Sequence, residues 1–182
     1  MKQLQKFSLI LLSIAALASA RIAQAAPEKA LEQDARAALN ALYESSPAAK
    51  ALGEKAKGIL VFPDIRKAAF IVGAQSGPGV MLAGGRTVGH YRADGVLAGL
   101  EAGAQSYAYA VFFMSDKALQ NLRSTKGFEI GADPNIVFVN VGAAKEVSTT
   151  TTQADVYGYV FDQKGLMGGI AVQGLKITRL DH

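Results

Sequence analysis

Between Glu28 and Glu44 the apolar residues Leu31, Ala35, Ala38, Leu39 and Leu42 return at helical spacing, while Glu32, Gln33, Arg36 and Asn40 fill the other side. That is the pattern of an amphipathic helix burying one stripe. Glu32 and Arg36 stand four apart in the favourable order, worth about 0.3 kcal/mol. Ser45-Ser46-Pro47 ends this helix and opens a second, because serine caps well and proline fits the first helical turn. The second helix is expected to run from Pro47 to about Lys57 and stop at Gly58. After Phe70 the alphabet changes to Val, Ile, Phe, Tyr and Gly with frequent turn signals, which predicts antiparallel strands. They are expected near 59–62, 68–75, 79–84, 87–92, 96–104, 107–113, 136–141, 146–153, 156–161, 166–173 and 175–179. Pro63 should stop the first, and Gly77-Pro78-Gly79 and Gly84-Gly85-Arg86 read as tight turns. One helix interrupts the strands: Ser115 caps it, Leu119 and Leu122 face inward, and Gly127 ends it after Lys126.

Glycine inside strand patterns marks bulges, bends or close backbone approach. The word Gly-Ala-Gln-Ser occurs twice, at 73–76 and 103–106, each time between apolar strands. Together these features give the expected fold: α+β, with two N-terminal helices and one inserted helix packed on a strongly curved antiparallel sheet or small barrel.

Lys2 and Lys6 precede an uncharged apolar run from Phe7 to Ala18, and Ala23 and Ala25 fit the small-residue rule for cleavage. Residues 1–25 are therefore expected to be a secretory signal peptide. Ala18 and Ala20 offer an earlier cut, and the alternative of a retained anchor suffers from the shortness of the run. Removing 25 of 182 residues leaves 157, one domain spanning 26–182. The expected address is periplasmic or secreted. With no cysteine, that domain carries no disulfide and no lipoprotein anchor, so its core alone must stabilise it. Lys2, Lys6 and Arg21 leave with the signal, so the processed chain has 16 basic against 15 acidic residues, a net charge of +1. Attraction to an anionic surface must then come from local clustering, and nucleic acid is not an expected partner.

Candidate chemistry is sparse. His182 is the last residue, which leaves His90 as the one histidine for catalysis; no cysteine, histidine pair or tight carboxylate cluster accompanies it as a metal site would need. There is no Gly-x-Ser-x-Gly elbow, so a hydrolase using His90 would need a scattered triad. Most acids sit at expected turns or a cap, and Glu101, inside a strand, can face solvent. The glycine-rich segments are flanked by strands where a phosphate-binding loop needs a helix N-terminus. Thr149-Thr150-Thr151-Thr152 suits an edge strand, and such an edge could bind another envelope protein. Neither an enzyme nor a cofactor is expected. What remains is a set of cations: Lys50, Lys55 and Lys57 before the first strand, Arg66 and Lys67 after Pro63, and Arg86 after the hairpin. Gathered into one patch they could meet anionic headgroups; scattered, they are ordinary surface charge. The second helix itself has only Ala48, Ala51, Leu52 and Ala56 on its apolar face, little area for membrane insertion.

Several ordered blocks also resemble a known family. They are Ala56-Lys57-Gly58-Ile59-Leu60-Val61-Phe62-Pro63, Lys67-Ala68-Ala69-Phe70-Ile71-Val72-Gly73, Gly79-Val80-Met81-Leu82, and Gly99-Leu100-Glu101-Ala102-Gly103-Ala104-Gln105-Ser106. Gly131-Ala132-Asp133, Lys164-Gly165-Leu166-Met167-Gly168-Gly169 and Gly174 follow. Over about residues 45–180 the chain resembles the SYLF domain, a phospholipid-binding module described in fungi as an actin regulator. The resemblance implies a non-enzymatic domain binding phosphoinositides or other acidic phospholipids through basic residues near its N-terminal helical region. Lys57 and Lys67 fall at matching positions; Lys50, Lys55, Arg66 and Arg86 are added by charge clustering. The chain departs from the family pattern at Gly89-His90-Tyr91-Arg92 and at Tyr159-Val160-Phe161-Asp162, the second losing positive charge. An exported chain is not expected to meet actin, which makes an envelope phospholipid the expected ligand.

Overall fold

The computed structural model describes residues 27–124, 128–130, 136–140, 154–165 and 175–180. Helix α1 covers 27–45, as its periodicity predicts, and buries Ala35, Leu39 and Leu42. Ser46 caps α2 (Pro47–Gly53), its hydroxyl accepting from Ala49 N at 3.2 Å. This helix is shorter than expected. Tyr43 of α1 lies against Gly53 where any Cβ would sit, and after one further turn the chain leaves to join the sheet, Lys57 N donating to Phe113 O at 2.8 Å. Helix α3 (Asp116–Ser124) is capped by Ser115 and turns Leu119 and Leu122 inward, as expected.

The strands depart from expectation in length. Six predicted segments merge into two, β1 (Gly58–Ala83) and β2 (Arg86–Phe113), which pair along one long antiparallel ribbon. Pro63 does not stop β1; it falls in the register shift between Phe62 and Ile65, where a bulge frees the ladder from needing its missing N–H. Gly77-Pro78-Gly79 is not a turn either, since Gly77 lies opposite Ala93 and Gly79 opposite Tyr91. Its glycines serve contact instead. A Cβ on Gly77 would stand 2.5 Å from the Asp64 carbonyl oxygen, and one on Gly79 would run into the Phe62 ring. Strand β1 thus folds back so that residues 77–79 lie against 62–65. The real turn is Gly84-Gly85, where φ of 55° and 74° sets Ala83 opposite Arg86, the two-residue form that demands positive φ at both positions.

Strands β3 (Phe128–Ile130), β4 (Ile136–Asn140), β5 (Val156–Gly165) and β6 (Leu175–Leu180) complete one sheet, ordered β3-β6-β2-β5-β4 with β1 on β2. Strand β3 was not predicted. The pairs are antiparallel except β4 with β5, which is parallel, a correction to the expected sheet. A parallel neighbour needs a long return connection, and 15 residues separate Asn140 from Val156 in the sequence. The expected strands at 146–153 and 166–173, and Gly127, lie outside the described residues. The fold class is otherwise as expected: α+β with a strongly curved sheet, which is not closed into a barrel.

Both faces of the sheet are buried. One cluster joins Leu60, Phe62, Ile65, Met81, Tyr109, Val111 and Ile177 with Leu119 and Leu122 of α3. The alternating residues Ile59, Val61, Val80, Leu82, Ala110, Phe112 and Tyr159 pack under Ala35, Leu39 and Leu42 of α1 and Ala49 of α2. The two-residue strand period fixes this division.

Candidate functional site

Where the ribbon folds back, an open cleft of about 1030 Å3 lies between it and the first half of α1. Its walls come from Leu31 and Asp34 of α1 and from two stretches of β1, with Arg66 and Lys67 in one and Gln75 and Ser76 in the other. Arg92 and Gln105 of β2 and Lys164 of β5 complete it. Three exposed cations ring the cleft, each held by an aspartate two residues away on its own strand. Arg66 Nε is 2.9 Å from Asp64, Arg92 Nε 3.0 Å from Asp94, and Lys164 Nζ 3.0 Å from Asp162. Residues two apart on a strand share a face, so the pairing is local in origin. Arg92 also donates to Ser76 Oγ at 3.0 Å, and Ser76 donates to Asp94 at 2.6 Å, which ties the rim across the ribbon.

The floor is polar and buried. Lys67 is 2% exposed and Gln75 1%. Tyr107 donates its hydroxyl to Gln75 Oε1 at 2.8 Å; burial pushes its pKa up, so it remains a donor at neutral pH. Gln105, opposite Lys67, has its Oε1 buried with no hydrogen-bond partner among the described residues. A buried polar atom without a partner costs about 1–3 kcal/mol, and it marks a place where a ligand can supply what the protein does not.

The six cations singled out from the sequence are divided by this geometry. Arg66 and Lys67 border the cleft. Lys50, Lys55 and Lys57 are exposed at the α2 end of β1, about 30 Å from Lys67 along the strand, and Arg86 is exposed at the hairpin turn, where Arg36 donates to Gly85 O at 3.1 Å. None of these four lines the cleft. The sequence reading passed over Arg92, Lys164 and the two glutamines. Its signals for them were the recurring charge pairs Asp64/Arg66, Arg92/Asp94 and Asp162/Lys164, and the repeated Gly-Ala-Gln-Ser word, both copies of which deliver a buried glutamine to this site.

Beyond the cleft, three large apolar side chains stand in solvent: Phe70 at 77% exposure, Val72 at 65% and Val96 at 78%. His90 sits under α1, its Nε2 3.7 Å from Glu32, a contact that anchors helix to sheet. No group of three or more residues able to hold a metal occurs among the described residues, and no described helix is long and apolar enough to cross a membrane. The side chain of Glu101 and residues Thr149–Thr152 lie outside what the structure describes.

Residues 94–181 match the family model Ysc84, described as "Las17-binding protein actin regulator". Over this span the chain is similar to the SYLF family. No curated protein matches it. The matched span contains β2 from Asp94 onward, α3 and β3 to β6, and with them the blocks at 99–106, 131–133, 164–169 and 174. The blocks at 56–82 precede it. SYLF is a family of binding domains, described as lipid-binding and actin-regulating. Gln105 and Lys164 of the cleft fall inside the matched span, whereas Arg66, Lys67, Gln75 and Arg92 fall before it.

Proposed function

We propose that this protein is exported to the periplasm or beyond and binds acidic phospholipid of the cell envelope without catalysing a reaction. The observation that carries the reading is the cleft, where Arg66, Arg92 and Lys164 surround a floor holding Lys67 and the unpartnered Gln105 oxygen. A phosphate entering there meets cations already oriented by aspartates. Exposed ion pairs of this kind contribute about 0–1 kcal/mol, so a phosphodiester can share or displace a carboxylate at small cost. The Gln105 oxygen without a partner can accept from a headgroup hydroxyl or ammonium. Because the cleft's charges nearly balance, the attraction acts at contact and not at long range.

The test is co-sedimentation of the exported, processed protein with anionic and neutral vesicles at low and moderate salt. Lys67 is buried, so a glutamate there would threaten the fold, and the informative variant is Arg66→Gln/Lys164→Gln, compared with Lys50→Gln/Lys55→Gln/Lys57→Gln. Binding that requires anionic lipid, falls with salt and is lost in the first variant supports the cleft. Loss in the second variant alone moves the site to the α2 lysines. No binding by the unaltered protein rejects the reading.

A further inference from the structure

Of the five exposed large apolar side chains among the described residues, the three most exposed, Phe70, Val72 and Val96, are not scattered. Phe70 and Val72 flank the register shift at the bend of β1, and Val96 lies opposite Ala74 on the same ribbon. All sit where the ribbon doubles back. A Cβ on Gly73 would collide with the Ala68 carbonyl and Ala69, so the backbone closes tightly on itself there. The chain is uncharged from Ala68 to Ser76 and from Gly95 to Leu100. Glu101 directly follows the second stretch, Arg66, Lys67, Arg92 and Asp94 begin just behind the bend, and Ala68, Ala74 and Ala104 of the bend line the cleft itself.

We propose that this bend enters the interface of a lipid bilayer and so sets the cleft at the level of the headgroups. The inference rests on the phospholipid reading and adds to it the element that inserts. Its dimensions fit: three residues of strand separate Lys67 from Phe70, about 10 Å, and an interfacial apolar group is buried about 5–10 Å into the headgroup and acyl boundary. The charge order fits as well. With Phe70, Val72 and Val96 among the acyl chains, Arg66, Arg92 and Lys164 stand where lipid phosphates lie. A projecting bend backed by cations complements a bilayer surface.

The protein has no tryptophan, so Phe70→Trp supplies a single emitter at the bend and Lys117→Trp one on the exposed side of α3. Each exported, processed variant is mixed with vesicles of phosphatidylcholine and phosphatidylglycerol, with and without brominated acyl chains, and binding is followed by sedimentation in parallel. The expected result is a blue shift and bromine quenching of the indole emission in Phe70→Trp with no change in Lys117→Trp. Phe70→Asp should lose about tenfold or more in sedimentation with its melting transition retained. Should the protein sediment with vesicles while the Phe70→Trp emission neither shifts nor is quenched, insertion of the bend is overturned and the phospholipid reading stands. Equal responses of the two tryptophan variants would also overturn it. Sedimentation failing for the unaltered protein overturns both. If the Phe70→Trp emission is already blue-shifted without vesicles and the protein is dimeric, the bend is a contact between copies, and the proposal is again overturned.

Discussion

Gly77→Ala tests whether β1 really folds onto itself, the feature on which the cleft depends. The added methyl would lie 2.5 Å from the Asp64 carbonyl oxygen, 2.9 Å from Ile65 Cα and 3.0 Å from Ile65 Cγ1. Two of these three atoms are backbone and cannot swing aside. Overpacking of a core costs about 1–3 kcal/mol, and a collision with backbone belongs at the upper end. Alanine recovers about 0.4–1 kcal/mol by narrowing the unfolded ensemble, which leaves a net loss of about 2 kcal/mol. With a urea m-value of about 1–3 kcal/mol/M for a domain of this class, the unfolding midpoint should fall by about 1 M. Gly84→Ala provides the comparison. Its methyl meets nothing within 4 Å, but φ is 55°, so its cost is conformational, about 1–2 kcal/mol before the same recovery. The expected order of urea midpoints, wild type above Gly84→Ala above Gly77→Ala, reverses the order that turn chemistry alone would give. A Gly77→Ala midpoint equal to or above wild type would refute the folded-back ribbon.

Tyr107→Phe removes the buried donor to Gln75 Oε1 and should lower stability by about 1–2 kcal/mol, read from the same urea curves. Alkaline pH should destabilise the fold: burial raises the pKa of Tyr43, Tyr107, Tyr109 and Tyr159. Their contribution is therefore complete below the ordinary tyrosine value and declines as pH rises above about 10. Tyrosinate absorbance from these four should then appear together with unfolding, and their early, independent titration would contradict their burial. Ser46→Ala removes the α2 cap at a cost of about 1 kcal/mol, and Ser46→Asp should restore it, as measured by thermal melting.

How much of this was legible in the sequence depended on whether the cause was local. The stripe of α1, the Ser46 and Ser115 caps and the Gly84-Gly85 turn act within a few residues, and each is where the pattern puts it. Pro63 and Gly77-Pro78-Gly79 misled because proline and glycine are read as punctuation. Their actual causes are a register shift and a contact with Phe62 and Ile65, residues 12 to 17 positions away. Strand length misled in the same direction, since strands usually have 3–10 residues and β1 has 26. Lysine is read as surface charge, and the burial of Lys67 arises only once the ribbon has folded back. Arg92 and Lys164 join Arg66 across 26 and 98 residues, a grouping invisible to any clustering along the chain. The repeated Gly-Ala-Gln-Ser word was visible, but its glycines drew attention and its glutamines proved to be the shared feature of the site.

The cleft and the apolar bend have one origin. Small residues at 73, 77 and 79 let β1 close on itself, and that closure both opens the cavity between the strand's two halves and forces Phe70 and Val72 to the outside of the bend. The two features should therefore fail together when the ribbon is opened and separately when a rim residue is changed. Arg66→Gln alters the cleft with the bend intact, and Phe70→Asp the reverse. The site is also composite along the chain: Gln105, Val96 and Lys164 lie within the SYLF-matched span, and Arg66, Lys67, Gln75, Phe70 and Val72 before it. Residues 94–181 alone would keep one wall of the cleft and one strand of the ribbon. Without β1 they would lack both the buried lysine and the pairing that shapes the bend, so the binding element is the whole folded-back ribbon and not the matched span by itself.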